Sequence, residues 1–179
     1  MISVRLASRA IGAAALLFLG GCVTTPLTSL EQRQASFVIA FPKAHLSVEF
    51  PGSGLDVQQA DADRPYYMFS SKEGLNVSFN FEPAVNCKTS EQCRDLMANE
   101  QRAGFPGKKD WQKSAIGEVF VSENTDPPMS GIDLHQRHMN AHFVQNDVWI
   151  DVHLSKVDYK DADRELFVRF IEAIRIKSE

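Results

Sequence analysis

His138, His142, His153 and Asp151 are the residues of this chain whose types could carry metal chemistry. Three imidazoles and a carboxylate gathered on one patch would suit a zinc or copper ion. On a polar sheet face the histidines could instead merely hydrogen-bond, or lie under a helix, so both readings stay open. Cys87 and Cys93 stand six apart, which is not zinc-pair spacing, and no second pair follows to complete a site. For catalysis the chain offers no Gly-x-Ser-x-Gly elbow, no His-Glu-x-x-His, no phosphate loop and no Gly-x-Gly-x-x-Gly. Asp161 and Asp163 lie where a helix start favours acid. The expectation is a non-enzymatic chain with no catalytic residue and no cofactor.

Whether the histidines meet depends on one turn. If Asn146-Asp147 is a two-residue hairpin turn, Val148 faces Gln145. Met139, Ala141 and Phe143 then face Leu154, Val152 and Ile150, an apolar side. The other side brings His142 beside Asp151 and Asn140 beside His153, with His138 one step along. A slip of one residue would scatter the set.

The elements around that hairpin follow from periodicity and breakers. Ser36 to Phe41 and His45 to Phe50 alternate as short strands, and Pro51-Gly52-Ser53-Gly54 ends the second. Residues 55 to 65 are polar and read as a loop. Tyr66 to Ser71 and Leu75 to Glu82 form a hairpin around Lys72-Glu73-Gly74, the second strand alternating Leu75, Val77, Phe79 and Phe81 with polar residues. Thr89-Ser90-Glu91-Gln92 resembles a capping box that starts a helix reaching about Arg102, with Gly104-Phe105-Pro106-Gly107 after it. A strand is expected near Ala115 to Ser122, then a loop tip at Asp126-Pro127-Pro128-Met129-Ser130-Gly131. Strands from Ile132 to Gln145 and Val148 to Ser155 make the histidine hairpin, and Asp163 to Ile174 closes the chain as an amphipathic helix.

At the N-terminus Arg5 and Arg9 precede a ten-residue apolar run, Ala10 to Leu19, followed by Gly20, Gly21 and Cys22. The run is too short to span a bilayer, which takes about 20 residues, and suits a secretory signal. Leu19-Gly20-Gly21-Cys22 resembles the lipobox of bacterial lipoproteins. That resemblance implies cleavage after residue 21, a diacylglyceryl group on the Cys22 sulfur and an acyl chain, such as palmitate, on its amine. It also implies an envelope address, and Val23 rather than Asp after the cysteine favours the outer membrane, facing the periplasm. An exported chain meets an oxidising compartment, so Cys87 and Cys93 read as a disulfide that staples the incoming chain to the first helical turn.

Removing residues 1 to 21 from the 179 leaves 158, one domain's worth, with twelve Phe to build its core. Losing Arg5 and Arg9 shifts the formal charge from −4 to −6. Such an acidic domain is a poor binder of nucleic acid, and lipid rather than charge must anchor it. Residues 22 to 36 read as the lipidated cysteine and a tether reaching roughly 20 Å, and residues 37–179 as one domain.

The order of strands and helices is α+β, an antiparallel sheet with helices packed on its faces. From Phe37 onward it is similar to the PsbP-like fold, an α/β/α sandwich, most closely at Trp149-Ile150-Asp151-Val152-His153-Leu154-Ser155-Lys156 and the Phe-rich helix that follows. The fold serves photosystem accessory subunits, a factor that binds a small GTPase and small bacterial lipoproteins. The resemblance therefore implies an accessory or protein-binding module with an envelope protein as partner. Pro127, Pro128 and Met129 are the candidate contact, because a proline-stiffened tip loses little entropy on docking. The rival reading is a periplasmic metal-handling lipoprotein using the histidine patch.

Overall fold

The alternation along Leu75–Pro83 sets the two faces of the main sheet. Leu75, Val77, Phe79 and Phe81 are buried while Asn76, Ser78 and Asn80 are half-exposed, as in a strand with one packed face and one wet one. A computed structural model describes residues 27–178. Its elements begin with β1 (Ser29–Gln32), β2 (Ser36–Phe41), β3 (Leu46–Pro51), β4 (Leu55–Asp61), β5 (Tyr66–Ser71) and β6 (Leu75–Pro83). They continue with α1 (Ser90–Gly104), β7 (Lys109–Ile116), β8 (Val119–Thr125), β9 (Arg137–Gln145), β10 (Val148–Lys156), α2 (Asp163–Glu172) and β11 (Arg175–Ser178).

Two antiparallel sheets result, a seven-stranded one in the order β4-β5-β6-β10-β9-β8-β7 and a four-stranded one in the order β1-β2-β3-β11. Their facing sides share a phenylalanine core. Phe50 of β3 meets Phe79 of β6 at 4.3 Å between ring centroids, and Phe37 of β2 meets Phe69 of β5 at 5.0 Å. Each buried ring contributes roughly 1.5–3 kcal/mol. Phe167, Phe170 and Ile171 place α2 in the same core. Gly52 lets the chain turn tightly over it, for a Cβ there would sit 2.8 Å from Phe37 Cδ2 and 3.0 Å from the Ser36 carbonyl carbon.

On the opposite face α1 packs through Cys93 against Cys87, Ala84 and Trp149. Thr89 Oγ1 accepts from the Gln92 N–H at 3.2 Å, and Gln92 Oε1 accepts from the N–H of Lys88, one residue earlier than a capping box requires. Among the described residues no helix is long and apolar enough to cross a membrane.

Five expectations need correction. Residues 55 to 65 are not all loop: Leu55–Asp61 form β4, an edge strand exposed from Asp56 to Ala60, with a bulge between Val57 and Gln59 that breaks its alternation. Within the expected tether, Ser29–Gln32 pair with β2, and Thr28 is buried with its hydroxyl 2.6 Å from Tyr67 Oη. The single strand near Ala115 is a hairpin, β7 and β8, turning at Gly117. The strand expected from Ile132 begins at Arg137. The last helix stops at Glu172, and Arg175–Ser178 pair with β3. The α+β class holds, but the second face of the large sheet carries the small sheet as well as α2.

Candidate functional site

Asn146 and Asp147 have φ of 51° and 58°, as both central residues of a type I′ turn require. That turn fixes the register of β9 against β10: His142 pairs with Asp151, Asn140 with His153 and His138 with Ser155. All lie on the face covered by α1, so the hairpin does bring them to one side. They nevertheless form two separate groups.

In the first group His138 lies between two partners. Its Nε2 is 2.9 Å from Asp126 Oδ2 and its Nδ1 is 2.9 Å from His153 Nε2, with the two rings stacked at 5.1 Å. An ionised carboxylate only accepts, so His138 Nε2–H donates to Asp126 and His153 Nε2–H donates to His138. Burial works against the Asp126 carboxylate, but His138 and Lys108, whose Nζ is 3.4 Å away, outweigh it and hold its pKa low. Burial pushes His138 below its ordinary value despite Asp126, and pushes His153 down to about 3. Both imidazoles are neutral at pH 7.

In the second group Asn140 Nδ2 donates to both carboxylate oxygens of Asp151, and Trp149 Nε1–H donates to His142 Nδ1 at 3.3 Å. His142 therefore carries its proton on Nε2, which is buried without an acceptor in the protein. Burial, helped by the Arg94 charge, pushes His142 down to about 3. Burial raises Asp151 to about 7, the Asn140 hydrogen bonds opposing the rise and Glu82 adding to it.

Both nitrogens of His138 and one of His142 are thus engaged within the protein. Among the described residues no group of three or more His, Cys, Asp or Glu is placed to hold a metal. His138 and His153 hydrogen-bond to each other, and His142 accepts from Trp149 Nε1–H.

The expected disulfide is formed. Cys87 and Cys93 are bonded with their Cα atoms 5.1 Å apart, Cys93 lying in the first turns of α1. Cys22 lies outside the described residues.

At the β8–β9 loop Pro127 is half-buried against Gly107, while Pro128 and Met129 are exposed. Met129 and Ile132 exchange backbone hydrogen bonds of 2.9 Å each way, which closes a tight tip with their side chains 62% and 64% exposed. Leu134, and Phe105 in the loop after α1, are further exposed apolar residues. Sequence periodicity assigned Ile132 and Leu134 to a strand, so only Met129 was recognised there. The base of the tip is held through Asp126 by Lys108 and His138. Beside it Lys109, Thr125, Pro128, His135, Arg137 and Tyr159 help line a cavity of about 300 Å³. A larger cleft of about 830 Å³ opens at the edge of the two sheets, with Leu55, Leu75 and Phe170 in its wall and Lys72 and Arg169 among its charged residues.

The tip and the first described residues lie at opposite corners. Thr28 donates its N–H to Ala62 O beside β4, level with the His142–Asp151 row, whereas the loop leaves β9 at Arg137. Four strand spacings of about 4.8 Å and five residues of about 3.4 Å separate them, roughly 25 Å.

No protein-family model matches the chain, and no curated protein does. Solved structures of similar fold are found. A crystal structure from Bacteroides thetaiotaomicron VPI-5482 aligns at TM-score 0.52 and 11% identity, over 82% of this chain and 50% of that one. This chain thus spans half the length of that protein. The solution structure of cyanobacterial PsbP (CyanoP) from Synechocystis sp. PCC 6803 aligns at TM-score 0.50 and 12% identity, over 88% of this chain and 96% of that one. A single-residue mutant of the protein Mog1 aligns at TM-score 0.51 and 7% identity, covering 83% and 95%. The fold is PsbP-like; at these identities the likeness extends to fold alone.

Proposed function

We propose that this chain is a lipid-anchored protein of the cell envelope, held at the outer membrane through Cys22 and facing the periplasm, and that it works by binding another envelope protein. The observation that carries the binding reading is the β8–β9 tip. Met129 and Ile132 stand exposed on a closed turn whose base is fixed by two prolines and by the Asp126 contacts. Exposed apolar side chains on a rigid mount lose little entropy on docking, and loops on a rigid scaffold commonly carry recognition.

Two further features support the reading. The Cys87–Cys93 bond fits an oxidising compartment. Thr28 stands six positions after Cys22, an extended reach of about 20 Å. A tether joining at Thr28 would attach roughly 25 Å from the foot of the tip, which leaves the tip clear of the anchor. The polar groups best placed for chemistry are spent on each other in the two histidine groups, which favours a binding module over an enzyme.

Photo-crosslinking in intact envelopes tests the contact. A crosslinker at Met129 or Ile132 is expected to give one adduct of defined mass, and one at Gln58 on the far edge strand to give none. Met129→Glu should abolish capture of that same partner with the melting temperature nearly unchanged. Equal adducts from all three positions, or unimpaired capture by Met129→Glu, would remove the tip from the account.

A further inference from the structure

We propose that Met129 is a site of reversible oxidation, and that oxygen added to its thioether by a peroxide weakens docking at the β8–β9 tip. The proposal rests on the contact reading above and adds its regulation.

The tip carries the most accessible sulfur among the described residues. Met129 is 62% exposed, whereas Met139 is fully buried in the shared core. Met68, in β5, and Met97, packed beside the Cys87–Cys93 bond, are half-buried. Free thiols would compete for peroxide, but Cys87 and Cys93 are buried and bonded to each other. Ile132, Leu134 and Phe105, the other exposed apolar residues nearby, contain no sulfur. Oxidation follows accessibility, so Met129 reacts first.

The turn does not depend on the thioether. Ser130 and Gly131 have φ of 52° and 80°, as the two central residues of a type I′ turn require. Met129 and Ile132 close that turn through backbone hydrogen bonds of 2.9 Å each way. A sulfoxide at Met129 therefore leaves the mount unaltered. At Met139 it would put a polar group into the core, at a cost to the whole fold. Oxidation at the tip is silent in stability and is felt by what docks there.

The step is a two-electron oxygen transfer. The Met129 Sγ lone pair attacks one oxygen of a hydroperoxide, an S–O bond forms and the O–O bond breaks. The departing oxygen is protonated and leaves as water or an alcohol; sulfur is oxidised and the peroxide reduced. An apolar contact becomes a polar one whose oxygen must be desolvated on docking, which should weaken binding about tenfold. A methionine sulfoxide reductase with a dithiol reverses the change. The sulfoxide oxygen then leaves as water while the dithiol becomes a disulfide.

The test uses the full, detergent-solubilised chain with a photo-crosslinker at Ile132. It is treated with graded hydrogen peroxide, cleared with catalase, and mixed with an envelope extract from cells lacking the chain. Peptide masses report which methionines have gained oxygen. Met129 is expected to oxidise before Met68, Met97 and Met139, with the melting temperature nearly unchanged. The adduct of defined mass should fall as oxidised Met129 rises, and return after reductase and dithiol. Met68→Leu/Met97→Leu should lose its adduct at the same peroxide dose as the wild type. The proposal is overturned if Met129 does not oxidise ahead of the others, if the adduct survives full oxidation of Met129, or if the double variant keeps an adduct that the wild type loses. Those failures leave the contact reading standing as long as Met129→Glu abolishes capture. If Met129→Glu leaves capture intact, the contact reading and the switch fall together.

Discussion

Asn140 reaches across from β9 to donate to both carboxylate oxygens of Asp151 on β10, at 3.0 and 3.2 Å. The pair lies on the central strands beside α1, where water is scarce. One neutral amide cannot replace the hydration of a carboxylate, so Asp151 holds its proton up to about pH 7. The cost of that ionisation can be read in stability.

A carboxyl whose pKa is higher folded than unfolded stabilises the fold fully below its unfolded value, and that contribution is lost as pH rises through the folded value. Asp151 thus costs stability between about pH 4 and pH 7, by at most about 4 kcal/mol at 1.36 kcal/mol per unit. Asp151→Asn is expected to melt higher than the wild type at pH 8, with the gain shrinking by pH 5. Thermal melts across that range check it, and an Asn variant less stable at pH 8 would contradict the assignment.

The histidines act in the opposite sense. His138, His142 and His153 all have depressed folded values. The stability from holding them neutral is present above pH 6.5 and is lost as pH falls below it, toward about 3 for His142 and His153. His153→Gln should lower stability at pH 7, by about 1–2 kcal/mol for the broken His138 contact, and narrow the gap on acidification. Parallel melting curves for variant and wild type from pH 7 to 4.5 would show that His153 is not held neutral.

Cys87 and Cys93 close a short loop, worth about 2 kcal/mol by chain-entropy reasoning. Cys87→Ser/Cys93→Ser should melt lower and still fold, because the Phe50–Phe79 core lies on the other face of the large sheet. Hydrogen exchange should quicken in α1 first, while β6 and β10 stay protected. Uniform loss of protection would mean that α1 and the sheet open as one unit.

The histidine hairpin was legible because Asn146-Asp147 fixes its turn and one strand face is wholly apolar, so pattern and turn chemistry agree. The same holds for β5–β6, for the Thr89 cap and for the cysteine pair. Edge strands were not legible: β4 is exposed along Asp56 to Ala60 and bulged, and β7 is wet along much of its length, so neither shows a buried period. β1 and β11 are four residues each and present one partly buried apolar side chain apiece, Leu30 and Ile176. The register placed the histidines on one side, but only side-chain geometry showed that they pair off instead of converging.

The envelope address is the premise on which the proposed function depends, and intact mass of the protein extracted from membranes tests it most directly. The account predicts a chain beginning at Cys22, carrying a diacylglyceryl group and an amide-linked acyl chain, with Cys22→Ala leaving no such species. A membrane-extracted protein that retains residues 1 to 21 and shows no acyl mass would contradict it.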